Sequence, residues 1–206
     1  MDKLRQQLRK YFIMGSQNCN RPPEDILLEA AKAGITAFQY REKGPGSLTG
    51  AEKIKLGERL RTICRAYHIL FFINDDVELV EVLDADGIHV GQDDMDAAEL
   101  RRQFPNKIIG LSVSNQNEVN NSPITAVDYL GAGPIYGTYT KTDAKAPVGV
   151  NWMKELRAQF PSLPIVGIGG IQPMNSHHVI EAGADGVSVI SAITEAPHIH
   201  KVVAAL

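Results

Sequence analysis

EAGADGVSVI, residues 181–190, joins the end of a helical stretch to a β-branched run through glycine, alanine and one aspartate. The same joint recurs upstream as AGITAFQYR (33–41), LDADGIHVG (83–91) and TAVDYLGAG (125–133), with an Asp at the joint in three of the four. A joint reused in this way marks a repeated strand-and-helix unit. Short apolar runs follow the same rhythm at Tyr11 to Met14, Ala37 to Tyr40, Leu70 to Ile73, Gly87 to Val90, Ile108 to Leu111, Tyr129 to Gly131, Ile165 to Ile168 and Gly186 to Ile190. Between them lie segments of helical spacing, such as Ile26, Leu27, Ala30, Ala31 and Gly34, or Ile54, Leu56, Leu60, Ile63 and Cys64.

Strand alternating with helix builds a parallel sheet. Eight units without a dinucleotide glycine fingerprint favour closure into a (β/α)8 TIM barrel over an open doubly wound sheet. The 206 residues fit one α/β domain over 1–206, with Met1 to Lys10 a short helix outside the barrel units. Pro22 and Pro23 suit the first turn of a helix, Thr49 with Glu52 has the spacing of a capping box, and Pro173 opens the segment leading to Gly183. The stretch after Leu111 is poor in apolar periodicity, so the fifth helix is expected to be short.

A formal net charge of −3 gives no global pull on nucleic acid, so anion binding must be local. Cys19 and Cys64 stand far apart in no metal-ligand spacing, and reduced thiols in a cytoplasmic protein are expected. No apolar run approaches the roughly 20 residues that span a bilayer, and the start has no leader pattern, so a soluble, unprocessed chain is expected. The sequence is compatible with a homo-oligomer.

Ligand-binding residues of a parallel barrel project from the C-terminal strand ends. The second strand ends in Gln39-Tyr40-Arg41-Glu42-Lys43. Alternation sets Gln39, Arg41 and Lys43 on one side, where Arg and Lys could hold a diphosphate; a solvated loop start with a salt bridge through Glu42 is the alternative. The third ends in Asn74-Asp75-Asp76 and the fourth in His89-Val90-Gly91-Gln92-Asp93-Asp94. One carboxylate from each suits Mg²⁺, which completes its shell with water and substrate phosphate, while the second Asp of each pair caps the following helix. His89 within the strand pattern fits a hydrogen-bonded core histidine better than a base.

A long connection follows the sixth strand, with Thr138, Thr140 and Lys141 equipped to cover a phosphate. The seventh strand ends in Gly167-Ile168-Gly169-Gly170-Ile171 and the eighth in Val189-Ile190-Ser191, where this fold commonly cradles phosphate on backbone N–H groups.

In this order the segments YFIMG (11–15), QYREK (39–43), FFINDDVELV (71–80), DADGIHVGQDD (84–94), GPIYGTYTK (133–141), IVGIGGI (165–171) and AGADGVSVISAI (182–193) resemble the thiamine-phosphate synthase family. The resemblance implies a transferase of thiamine biosynthesis with magnesium as cofactor. It would join a hydroxymethylpyrimidine diphosphate to a thiazole phosphate, releasing pyrophosphate and thiamine monophosphate. By position, Gln39, Arg41, Lys43, Asn74, Ser112 and Lys141 would bind the pyrimidine diphosphate, with Tyr40 and Glu42 inside the same motif. Asp75 and Asp94 would hold Mg²⁺. Thr138, Tyr139, Thr140, Gly170, Ile190 and Ser191 would bind the thiazole phosphate, and Arg41, Lys43, Lys141 and Ser112 would carry the catalysis. Where the family commonly shows Ser-x-His after the fifth strand, this chain has Ser112-Val113-Ser114. A thiazole tautomerase-like isomerase shares the barrel but is expected to use that histidine, absent here. A non-catalytic phosphate-binding barrel would have no need of the carboxylate and cation set.

Overall fold

The computed structural model describes residues 2–138, 140 and 145–206. Eight parallel strands close on themselves in sequence order, β1 (Lys10–Met14), β2 (Ala37–Tyr40), β3 (Leu70–Asn74), β4 (Gly87–Val90), β5 (Ile108–Val113), β6 (Tyr129–Ala132), β7 (Ile165–Ile168) and β8 (Gly186–Val189). The closing pair sets Tyr11 beside Ser188 and Phe12 beside Val189. Each apolar run of the sequence is one of these strands, displaced by two residues at most.

The helices follow as α1 (Asp2–Gln7), α2 (Pro23–Ala33), α3 (Gly50–Ala66), α4 (Glu78–Val82), α5 (Ala97–Gln103), α6 (Gln116–Asn121), α7 (Gly149–Gln159), α8 (Ser176–Glu181), α9 (Ser191–Thr194) and α10 (Ile199–Ala204). Helix α2 starts with Pro23 in its first turn and stops at Gly34 in the left-handed region, and Ile26, Leu27, Ala30 and Ala31 form its buried face. Helix α6 has six residues, as the weak periodicity after Leu111 requires. Two expected signals act differently. Thr49 stands at the N-cap of α3 without a side-chain capping bond, and Glu52 pairs with Lys55. Helix α8 begins at Ser176, three residues beyond Pro173, where Asn175 Oδ1 accepts the Gln172 N–H.

Strand alternation divides the core in two. Outward residues such as Phe12, Phe38, Phe71, Ile88, Leu130 and Val187 pack under the helices. Inward ones, Tyr11, Ile13, Ala37, Phe72, Tyr129, Val166 and Ile190, fill the barrel, and Leu4 and Leu8 bring α1 onto the same inner cluster.

The recurrent Asp of the joints has a physical task. Asp86 Oδ2 accepts the Phe71 N–H at 2.8 Å, Asp128 Oδ2 the Ile109 N–H at 2.8 Å and Asp185 Oδ2 the Ile165 N–H at 2.9 Å. In return their own N–H groups donate to the carbonyls of Phe71, Ile109 and Ile165. An arginine from the helix that precedes the odd strand clamps each one: Arg61 of α3 on Asp86, Arg101 of α5 on Asp128 and Arg157 of α7 on Asp185. At the remaining joint Thr36 Oγ1 takes the Lys10 N–H at 2.9 Å. The repeat in the sequence is thus one latch, used four times, tying the start of an odd strand to the start of the next. Asp185→Ala would orphan the Ile165 N–H and take the carboxylate from Arg157 and from Arg5, which reaches it at 3.2 Å, leaving both arginines their backbone carbonyls alone. A loss of about 3 kcal/mol is expected, read as a lower urea midpoint at unchanged slope.

Candidate active site

A cleft of about 230 Å³ opens at the C-terminal strand ends. One wall comes from β2–β4 and the loops after them, with Arg41, Lys43, Asn74, Asp75, Asp93 and Asp94. The opposite wall comes from β6–β8 and their loops, with Thr138, Thr140, Gly169, Gly170, Ile190 and Ser191. His89, Ser112, Gly131 and Ser188 lie between them, on inward strand positions.

The first wall is strongly electrostatic. Arg41 is buried at 6 % exposure, two residues above Gln39 on the inward side. Lys43 Nζ donates to Asp75 Oδ2 and lies 3.7 Å from Asp94 Oδ1. Burial pulls the lysine down, but these two carboxylates hold it above its ordinary value. Burial also drives the Asp75 carboxyl up, with Lys43 opposing and Asp94 adding to the rise. Asp94 is burdened by burial too, yet it stays below its ordinary value through hydrogen bonds with Asp75 and from the Gly91 N–H at 2.8 Å, together with Lys43. Two carboxylates crowd one place and share one lysine, a site with room for further positive charge.

The backbone at Asp75 is part of this geometry. Its φ of +58° lies in the left-handed region that Asp tolerates better than most residues, and its N–H still donates to His89 O at 3.0 Å. The chain therefore leaves the sheet with the carboxylate turned toward β4. Asn74 Nδ2 beside it is buried and has no acceptor among the described residues.

On the second wall, Ile135 N–H and Tyr136 N–H donate to Ile168 O at 2.7 Å and Gly169 O at 3.0 Å, holding the connection after β6 against the end of β7. Thr140 Oγ1 donates to Ser191 Oγ at 3.3 Å and lies 3.5 Å from Thr138 Oγ1, so three hydroxyls meet at one place. Gly170 sits at φ +62°, and a Cβ there would come within 2.5 Å of Gly137 O. Only glycine lets the two loops approach this closely.

The residues expected from the sequence separate into groups. Arg41, Lys43, Asn74, Asp75, Asp94, Ser112, Thr138, Thr140, Gly170, Ile190 and Ser191 line the one cleft. Gln39 does not: it is 1 % exposed and sits a layer lower, its Nε2 donating to Tyr11 Oη at 2.9 Å beside a separate cavity of about 10 Å³. Tyr40 points outward by strand alternation, and its hydroxyl donates to Lys53 O at 2.9 Å. Glu42 forms no salt bridge among the described residues; it accepts from the N–H of Ser16 at 2.8 Å and of Leu48 at 2.6 Å, which braces the loops after β1 and β2. Tyr139 and Lys141 lie outside the described residues.

The division of labour within each aspartate pair also differs from expectation. Asp76 pairs with Lys53 at 2.7 Å rather than capping α4, and Asp93 is an exposed residue of the cleft rim. Helix α5 is capped by Asp96, which accepts from the N–H groups of Ala98 at 2.9 Å and Glu99 at 3.2 Å.

Glu118 and Lys145 line the cleft without a local signal in the sequence. His89 is the buried, hydrogen-bonded histidine anticipated, and it also faces the ligand space. Glu118 of α6 enters the cleft because Ser114 N–H and Asn115 Nδ2 donate to it, and Lys145 reaches it from the connection after β6 at 2.6 Å.

For a divalent cation, the described residues contain no cluster of three or more His, Cys, Asp and Glu. Two carboxylates at one place nevertheless match the donors Mg²⁺ requires, since it takes one or two carboxylates and completes its shell with water and substrate oxygens.

Comparison with known proteins converges on one group. The family model described as thiamine monophosphate synthase matches residues 10–193. The thiamine-phosphate synthase of Oceanobacillus iheyensis is 62 % identical over 192 residues, covering 93 % of each chain. That of Geobacillus kaustophilus is 51 % identical over 204 residues, 99 % of this chain and 92 % of the relative. Among solved structures, thiamine phosphate pyrophosphorylase from Pyrococcus furiosus superposes with a TM-score of 0.87 at 33 % identity, covering 98 % of this chain and 95 % of that one. A 3-hexulose-6-phosphate synthase superposes with a TM-score of 0.65 at 14 % identity, a likeness of fold alone. The chain belongs to the thiamine monophosphate synthase family.

Proposed function

We propose that this protein joins 4-amino-2-methyl-5-hydroxymethylpyrimidine diphosphate to a thiazole phosphate, giving thiamine monophosphate and pyrophosphate. One observation carries this reading within the family: the cleft has two anion stations on opposite sides of the barrel. The β2–β4 wall concentrates cations and two crowded carboxylates, while the β6–β8 wall offers hydroxyls and glycine backbone. A single phosphorylated substrate needs one station; a diphosphate and a monophosphate need both.

Asp75 and Asp94 would hold Mg²⁺, which supplies positive charge to the diphosphate oxygens. Arg41 lies fixed by burial beside that place, and its planar fork suits two oxygens at once. Lys43 would leave the carboxylates when their charge is met and move onto the diphosphate. Asn74 Nδ2 would donate to an oxygen of the same group. As the carbon–oxygen bond breaks, its electron pair goes to the departing pyrophosphate, and these donors already face where that charge gathers. The electron-rich pyrimidine carries the methylene cation left behind, and the thiazole nitrogen closes on it. Thr138, Thr140, Gly170, Ile190 and Ser191 would anchor the thiazole by its phosphate. Lys141 keeps the role its position in the motif implies, and Tyr139 stays with the thiazole side. No strong base is needed, and the first wall offers none. No helix of the described residues is long and apolar enough to cross a membrane. Two free thiols fit the cytoplasmic setting of this reading.

Incubation of the purified protein with both phosphorylated heterocycles and Mg²⁺, followed by chromatography for thiamine monophosphate, tests the reading. Product is expected only with all three present. Product without either heterocycle, or none with all three, overturns it.

A further inference from the structure

Beneath the cleft a file of polar side chains runs through the otherwise apolar barrel. Gln39 Nε2 donates to Tyr11 Oη at 2.9 Å, Tyr11 Oη lies 3.0 Å from Tyr129 Oη, Tyr129 Oη 2.9 Å from His89 Nδ1, and His89 Nε2 2.8 Å from Ser112 Oγ. Four of the five are under 10 % exposed or sealed in the inner cluster, and only the last reaches well into the cleft. A Cβ at Gly110 would lie 2.2 Å from Tyr129 Cζ and 2.5 Å from His89 Nδ1, so β5 gives up a side chain where this file passes. Burying polar atoms is costly unless they are satisfied; each link of this file is hydrogen-bonded, Gln39 Oε1 alone being buried with no partner among the described residues, and a connected file is specific in its donor order.

The order follows from its first member. The Gln39 amide nitrogen can only donate, so Tyr11 oxygen is the acceptor and the Tyr11 proton turns to Tyr129. The Tyr129 proton then has His89 Nδ1 as its acceptor. Burial holds both phenols well above their ordinary value, with the Tyr11 hydrogen bonds opposing its rise, so each link keeps its proton. His89 Nε2–H is left to donate to Ser112 Oγ, whose only hydrogen-bonding neighbour for the hydroxyl among the described residues is this histidine. We propose that Tyr129, backed by Tyr11 and Gln39, is a positioning residue that fixes His89 as the Nε2–H tautomer and so commits the Ser112 hydroxyl proton to the cleft. There it serves an acceptor oxygen of the bound anion; this part rests on the reading above, in which the anion is the diphosphate. Ser112 acts as donor, not acceptor, although nothing in its own segment decides which.

Long-range ¹⁵N–¹H correlation spectra of the ligand-free protein, with the His89 signals identified by their loss in His89→Gln, read the tautomer directly. An unprotonated Nδ1 and a protonated Nε2 are expected; the reverse pattern, or an imidazolium at neutral pH, overturns the proposal whatever the enzyme's activity. Tyr129→Phe keeps the ring and removes the donor. It is expected to blur the tautomer preference and to lower kcat roughly tenfold, the scale on which an outer partner's loss is felt, with KM for thiazole phosphate unchanged. Tyr11→Phe leaves Tyr129 no acceptor but His89, so the tautomer should persist and the loss in kcat should be several times smaller. Equal losses in the two variants with the wild-type tautomer retained would reduce the file to packing and overturn the positioning role.

Discussion

Asp75→Ala is expected to abolish magnesium-dependent pyrophosphate release, by about 10³-fold, in a chain that melts within about 4 °C of the wild type. The two halves of this expectation have different causes. The carboxylate is held in a buried place beside Asp94, which raises its proton affinity, so the folded chain gains little from its charge. Alanine removes that crowding, though it keeps a left-handed backbone at a cost of roughly 1–2 kcal/mol. Stability therefore changes little. Function is expected to change much, because half of the proposed carboxylate donor set disappears and Lys43 is left with Asp94 alone, which lies 3.7 Å from it in the wild type. Pyrophosphate measured by a coupled assay across a magnesium titration decides it, with circular dichroism melting as the check on folding. Near-normal release at saturating magnesium would sink the metal assignment.

Arg41→Ala is the second large effect, with a fall in kcat of about 10²–10³-fold and little change in KM for the thiazole phosphate. The asymmetry follows from the barrel. Arg41 stands beyond the end of β2, whereas the proposed phosphate cradle lies on β6–β8, on the opposite side of the cleft. Arg41→Lys keeps the charge but not the rigid fork, and it should recover no more than about a tenth of the lost activity. Steady-state kinetics with each substrate varied in turn separates the two constants. An equal rise in both KM values with kcat intact would make Arg41 a general anion attractor and remove it from the diphosphate station.

Much of this was legible along the chain because a TIM barrel repeats a local rule. Eight apolar runs became eight strands, since each needs only a few β-branched or aromatic residues and a neighbour of the same kind. The strand-end rule then put Arg41, Asp75, Asp94, Gly170 and Ser191 in one cleft, because a parallel barrel gathers all its strand ends on one face. Where the rule failed, a competing partner won. Tyr40 and Glu42 belong to the motif by position, but alternation turns Tyr40 to the helices and the Ser16 and Leu48 amides claim Glu42. Gln39 is on the correct side of its strand and one layer too deep. The cap of α5 falls to Asp96 rather than Asp93, because the chain beyond Val90 runs on before that helix begins, while α4 starts without a side-chain cap and Asp76 pairs with Lys53.

By itself the sequence determined the periodic features: the strands, the reused joint aspartates, the order of the motifs and the family to which they point. These depend on neighbours a few residues apart, and the spacing of side chains carries them. The tertiary structure decided what depends on pairs far apart in the chain. The joint aspartates became latches only when Phe71 met Asp86, Ile109 met Asp128 and Ile165 met Asp185. Lys43 found Asp75 across 32 residues, and Tyr11 found Tyr129 across 118. Closing the barrel brings such groups within hydrogen-bond distance in a space that excludes water, and there the direction of a single proton becomes a property of the whole fold.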